Sequence, residues 1–374
     1  MNRRSRYVPV LVLALAASGC ASAPRLPDAP QTALAPAGAA ATTLAVRDVC
    51  PHAVAPGFAR CNALLRGSAD GSAPNGYAPS DLQSAYNLPS ATNGSGQLVA
   101  IVDAYDDPNA EADLGVYRQE FGLPACTTAN GCFAKVNQRG QHGTYPHANS
   151  GWAIEISLDV DMVSAGCPNC DILLVEANSN ANRDLGRAVD EAVTLGAQVI
   201  AISYSAGSGV PRAPYEHHGV IYVASSGDTG APGEPAAFPS VVAVGGTTLM
   251  PSRTKRGWTE TAWGASGGCT TYAKPPWQHD TFCTTRTTND VAAVADPSTG
   301  VAVYDTYEMS GWVELGGTSV SAPLIASVYG LAGNASALHA AQSLYLHRSQ
   351  LFDIPPKGYD ETTGEGTPDG VGAF

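Results

Sequence analysis

From residue 98 onward, short apolar runs alternate with segments of helical period, and that alternation leaves few folds open. Residues 98–102, 172–175, 199–203, 220–224 and 241–244 read as strands. Residues 109–121, 151–165, 183–195 and 318–331 read as helices. Strands that are apolar throughout, rather than at every second position, need cover on both faces. The expected class is α/β: a mostly parallel sheet with helices on both sides. Sites in such sheets gather beyond the carboxyl ends of the strands. With 374 residues, the chain can bury one large core or two ordinary ones.

Twenty Lys and Arg against 33 Asp and Glu give a formal charge of −13. Phosphates would be repelled, so nucleic acid is not an expected partner. The N-terminus reads as an export signal. Arg3, Arg4 and Arg6 precede the apolar run 7–17, which is too short to span a bilayer. Ala17-Ser18-Gly19-Cys20 resembles a bacterial lipobox, with Cys20 as the lipidated residue; the other reading is cleavage after Ala21-Ser22-Ala23. The first places the protein at the outer membrane or cell surface through its lipid alone; the second makes it secreted or periplasmic. Nine cysteines then leave eight once Cys20 is set aside. Proximity pairs them as Cys50 with Cys61, Cys126 with Cys132, Cys167 with Cys170, and Cys269 with Cys283. Zinc at Cys167-x-x-Cys170 would need a second ligand pair and a reducing compartment, so disulfides are expected. The organisation reads as a signal at 1–23, a Pro/Ala tether and short Cys-bounded segment at 24–75, and a catalytic domain at 76–374.

Gly316-Gly317-Thr318-Ser319-Val320-Ser321-Ala322-Pro323 reads as a nucleophilic serine at the start of a buried helix. Small neighbours let a substrate backbone approach the Ser319 hydroxyl, and the helix N-terminus favours developing negative charge. A serine needs a base, and two are available. Asp103 with His142 would make a subtilisin-like Ser/His/Asp set. Pro146 argues against a helix around His142, because it removes a backbone donor. Glu155 and Asp159 lie one turn apart on one helix and project from one face. Asp228 follows a strand within Ser226-Gly227-Asp228-Thr229-Gly230.

Glu155-x-x-Leu158-Asp159, then Ser226-Gly227-Asp228, then Gly317-Thr318-Ser319 resemble, in type and order, the sedolisin family of serine-carboxyl peptidases. The resemblance spans residues 76–374 and implies a subtilisin-like fold. It implies Ser319 as nucleophile, Glu155 as base, Asp159 behind it as orienter, and Asp228 as a protonated donor to the oxyanion. A carboxylate base and a donor that must hold its proton imply an acidic optimum. Ser203, Tyr204 and Ser205 resemble the edge that aligns a peptide substrate. The stretch from Asp353 to Asp360 resembles the family's calcium site, implying one ion held by Asp353, Asp360 and the carbonyls of Ile354, Pro356 and Gly358. The link between those two aspartates is shorter than the family's, and 207–215 also looks shortened. Residues 24–75 are shorter than its usual N-terminal prodomain, so control by such a domain is not carried over. The expected function is an exported, monomeric, acid endopeptidase acting on peptides or proteins. Two alternatives stand beside it: the Asp103/His142/Ser319 peptidase, and a non-catalytic lipid-anchored binding module on the same scaffold.

Overall fold

The strand Leu98–Ala104 runs through the middle of the central sheet, and its alternate residues show why this sheet is apolar throughout. Val99 and Ile101 join one core cluster, while Ala100, Val102 and Ala104 join the other. Period two along a strand thus feeds two cores at once. This computed structural model describes residues 44–51, 54–264, 267–335 and 341–374. The expected export signal at 1–23, with Cys20, and the stretch 24–43 lie outside the described residues.

Among the described residues, seven strands of the central sheet run parallel to their neighbours. Their path is Val241–Pro251, Ile221–Ser225, Val199–Ile202, Leu98–Ala104, Asp171–Ala177, Phe133–Asn137, with Val291–Val294 also paired to Val241–Pro251. The eighth strand, Trp258–Ala262, closes one edge antiparallel. The helices Ala110–Glu120, Ser150–Gly166, Asn182–Thr194 and Thr318–Ala332 match the sequence expectation to within a residue or two at each end. Phe133–Asn137, Val291–Val294 and the antiparallel edge had not been expected.

Two helices are buried on every side. In Ser150–Gly166 every residue from Trp152 onward is buried, and in Thr318–Ala332 every residue up to Leu331 is. A helix without a polar face belongs in a core. Asn149 starts the first by accepting the Trp152 amide at 3.1 Å. The pair touch where Gly166 faces Ser327: a Cβ on Gly166 would lie 1.8 Å from Ser327 Oγ. This close crossing holds Glu155 and Asp159, on one helix, in fixed register with Ser319 on the other.

A second sheet takes in residues upstream of position 76. Val46–Asp48, Leu64–Gly71, Gly311–Gly316 and Val301–Asp305 pair antiparallel in that order. The folded unit therefore runs from Leu44 to Phe374. Residues 44–71 are part of it rather than a separate segment, because a strand between two others cannot be left out of a sheet. Leu64 stands opposite Gly316, and Gly316 leads into the helix that carries Ser319. Four disulfides join Cys50–Cys61, Cys126–Cys132, Cys167–Cys170 and Cys269–Cys283. No described helix is long and apolar enough to cross a membrane.

Candidate active site

Three strands of the central sheet deliver polar groups from their carboxyl ends, as the topology requires. Asp103 lies near the end of Leu98–Ala104, Ser203 follows Val199–Ile202, and Asp228 follows Ile221–Ser225. The two buried helices add Glu155, Asp159 and Ser319. Asp103, Glu155, Asp159 and Ser319 are each 0% exposed, so bulk water does not reach them.

Glu155, Asp159 and Asp103 form one electrostatic set. Burial raises all three, and mutual repulsion adds to it at Glu155 and Asp159. Glu155 and Asp159 stand well above the ordinary carboxylate range, with Asp103 as the largest charged contributor to each. Asp103 itself is pushed up to about 8. Both oxygens of Asp103 have no hydrogen-bond partner, while Ser203 lies against Asp159 and Ser319 against Glu155. Carboxyls so placed keep protons among them and titrate as a set. The alternative reading of the sequence pairs Asp103 with His142. His142 is exposed, and its Nδ1 pairs with the Lys135 carbonyl at 2.9 Å. The Asp103/His142/Ser319 alternative is therefore not assembled.

Asp228 faces the nucleophile from the other side. Its Oδ1 accepts the Thr318 amide at 3.0 Å and the Thr318 hydroxyl at 2.9 Å. Oδ2 has no partner. Burial raises this carboxyl to about 6, against the pull of the two Thr318 donors. With Oδ1 already accepting twice, the acid proton belongs on Oδ2. Gly317, at φ +93°, leaves room in front of it: a Cβ there would lie 2.8 Å from Asp228 Oδ2 and 2.0 Å from the carbonyl oxygen of Asn62.

Asn62 and its neighbour are the residues that sequence reasoning missed. The Asn62 amide points at both Ser319 Oγ, 3.1 Å, and the Ser203 carbonyl, 3.2 Å. The Ser319 hydroxyl donates to the same Ser203 carbonyl at 3.1 Å. The Ala63 amide donates to Glu155 Oε2 at 3.0 Å. Just upstream, Arg60–Cys61 pairs antiparallel with Tyr204–Ser205, Arg60 opposite Ser205 and Cys61 opposite Tyr204. Nothing local in the sequence marks Asn62 for this place, since it is 257 residues from Ser319. The nearest signal was the Cys50–Cys61 pair.

The expected metal ligands lie elsewhere, near the C-terminus. Asp353 Oδ1 accepts the Gly358 amide at 2.9 Å. Asp360 Oδ1 accepts the Thr362 and Thr363 amides at 2.8 and 2.9 Å, and its Oδ2 takes the Thr363 hydroxyl. Three of the four carboxylate oxygens thus serve this chain's own turns. Engaged in this way, the two aspartates keep one oxygen not already accepting from local donors, so the carbonyls of Ile354, Pro356 and Gly358 would have to supply most of the six or more oxygens a calcium ion needs. The expected outcome is a melting temperature that neither added calcium nor chelator moves by more than about 1 °C. Saturation at a hundredfold excess would instead add roughly 2.7 kcal/mol.

Comparison with known proteins fits this geometry. The subtilase family model matches residues 130–349. Kumamolisin of Bacillus sp. (strain MN-32) is 29% identical over 345 residues, covering 79% of this chain and 58% of its own length. The chain belongs to the subtilase family. Xanthomonalisin of Xanthomonas sp. (strain T-22) is 26% identical over 383 residues, covering 79% of this chain and 45% of its own. The chain spans roughly half the length of those two peptidases. In fold it resembles a Pseudomonas sedolisin, a serine-carboxyl proteinase solved with two molecules of pseudo-iodotyrostatin, at a TM-score of 0.67. That match covers 80% of this chain and 96% of the other at 22% identity.

Proposed function

We propose that this subtilase is an exported serine-carboxyl endopeptidase of the sedolisin type that hydrolyses peptide bonds in acid. One observation carries the reading: the successive amides of Asn62 and Ala63 lie on Ser319 Oγ and on Glu155 Oε2. A nucleophile and a base–acid that meet consecutive groups of one backbone are placed for acyl transfer.

In this reading Glu155 takes the Ser319 proton as the hydroxyl attacks, then returns it to the leaving amine. Asp159 and Asp103 hold the proton inventory behind it. Asp228 donates from Oδ2 to the oxyanion, and Ser203, Tyr204 and Ser205 align the substrate backbone. Four disulfides support export, since such bonds persist in oxidising compartments. Anchoring by lipid at Cys20 belongs to the same proposal; a mature chain beginning at Pro24 would replace the anchor with simple secretion.

The test is hydrolysis of a random peptide library across pH, with Ser319→Ala as control. Asp228 must be protonated to donate, and its carboxyl titrates at about 6. The rate should therefore fall about tenfold per unit once pH exceeds that value. A rate that rises through neutrality, as a histidine base would give, rejects the carboxyl mechanism.

A further inference from the structure

We propose that the cavity lined by residues 279–282 and Tyr359 is a carbohydrate site that takes one pyranose ring. The site shares no residue with the one around Ser319, and the proposal does not depend on the peptidase reading.

His279, Asp280, Thr281, Phe282 and Tyr359 enclose a cavity of about 290 Å³. That is the small end of ligand pockets, which suits a single ring better than a length of peptide. Two of the lining residues each hold a buried polar atom without a hydrogen-bond partner: Oδ2 of Asp280 and the hydroxyl oxygen of Tyr359. Buried polar groups in proteins are normally paired, so two that line one cavity point to a ligand that supplies the missing bonds.

The surroundings of Asp280 set the chemistry of that ligand. The side chain is 2% exposed. Its Oδ1 already accepts the Phe282 amide at 3.1 Å and the Thr287 hydroxyl at 2.9 Å, and the Lys274 ammonium lies 3.1 Å from the same oxygen. The negative charge is thus matched within the protein. A metal ion or an ammonium group entering the cavity would meet the charge of Lys274, and a carboxylate or phosphate would meet that of Asp280. A neutral group that donates to Oδ2 meets neither. A hydroxyl does this, and a neighbouring hydroxyl can pair with that of Tyr359. Phe282 supplies the apolar wall, with its side chain 57% exposed. Adjacent hydroxyls on an edge and C–H groups on a face are what a pyranose presents.

The site is formed before anything binds. Lys274 Nζ also donates to the Asp280 carbonyl at 2.7 Å, and the Cys269–Cys283 disulfide ties the residue after Phe282 to the strand Gly268–Ala273. A loop held in this way loses little freedom on binding. In the peptidase reading, the site would hold the enzyme on a polysaccharide among the proteins it cuts.

The test uses the full chain. Saturation-transfer NMR is read on the methyl glycosides of glucose, mannose and N-acetylglucosamine, and co-sedimentation on starch, cellulose, mannan and chitin. The expected result is transfer to at least one glycoside, and sedimentation with a polysaccharide of the same sugar that the free glycoside reverses. Tyr359→Phe, which removes only the hydroxyl, and Phe282→Ala, which removes the wall, should each weaken glycoside binding about fivefold or more. Both variants should hydrolyse a test peptide as the parent does. Tyr359→Phe should also keep the parent's melting temperature, because its hydroxyl has no partner in the protein to lose. A glycoside that binds while no polysaccharide sediments the chain would keep the site and assign it to free or terminal sugars. No transfer to any of the three glycosides would overturn the proposal, leaving the two polar atoms to a trapped water. Binding that both variants leave unchanged, or sedimentation that no glycoside reverses, would put the contact elsewhere on the surface and overturn it too.

Discussion

Glu155→Gln is expected to lower kcat for peptide cleavage on the order of 10⁴-fold with little change in KM. Glutamine keeps the shape of the side chain and an oxygen that can accept the Ala63 amide, which Glu155 Oε2 accepts at 3.0 Å. It cannot take a proton. The Ser319 hydroxyl, which donates to the Ser203 carbonyl in this structure, would then have no route for its proton when it attacks. The substitution also removes one charge-bearing member of a crowded buried set, so the fold should tolerate it. Ser319→Ala should reach the same floor. The double variant should be no worse than either, because the two residues act as one unit. Single-turnover kinetics at the optimal pH, with the melting temperature as a control, decide this. A Glu155→Gln enzyme within tenfold of the parent would remove Glu155 from the mechanism.

The largest effect on stability should come from a different carboxylate. Arg286 and Asp290 are both fully buried and meet through two bonds of 2.6 Å. Asp290 also accepts the Tyr345 hydroxyl at 2.9 Å and the Ala243 amide at 2.8 Å. The pair therefore ties the start of Val291–Val294 to the neighbouring strand and to the C-terminal part of the chain. Asp290→Ala would leave a guanidinium in the core with no counter-charge. Breaking a buried pair from one side costs about 3–5 kcal/mol. For a domain of this size that is a fall of roughly 4–7 °C in melting temperature. Replacing both partners with apolar residues of similar volume should recover most of the loss, since no charge is then stranded. A single variant that melts within about 2 °C of the parent would refute the argument.

Asp353 and Asp360 show a limit of reading by motif. Their residue types and order match a calcium loop, but seven positions of chain joined the two. In the fold their carboxylates close local turns on Gly358, Thr362 and Thr363. A motif records which donors are present; the loop's length and turns decide where they point.

What the sequence determined by itself was short-range. The i, i+4 spacing of Glu155 and Asp159 fixes them on one helix face whatever surrounds that helix. Gly317 before Thr318 and Ser319, and the strand before Asp228, are likewise local features. So are the four disulfides, each closing fewer than 15 positions. The apolar runs sufficed to give a sheet covered on both faces. Tertiary structure alone decided which residues meet across the chain. Asp103 joined the carboxylates rather than His142, because strand order puts its end under the buried helices. Leu64 found Gly316 as its sheet partner, which carried Asn62 and Ala63 onto Ser319 and Glu155. Neither contact leaves a trace in local sequence, since pairing between distant strands depends on the whole packed set and not on the residues flanking either one.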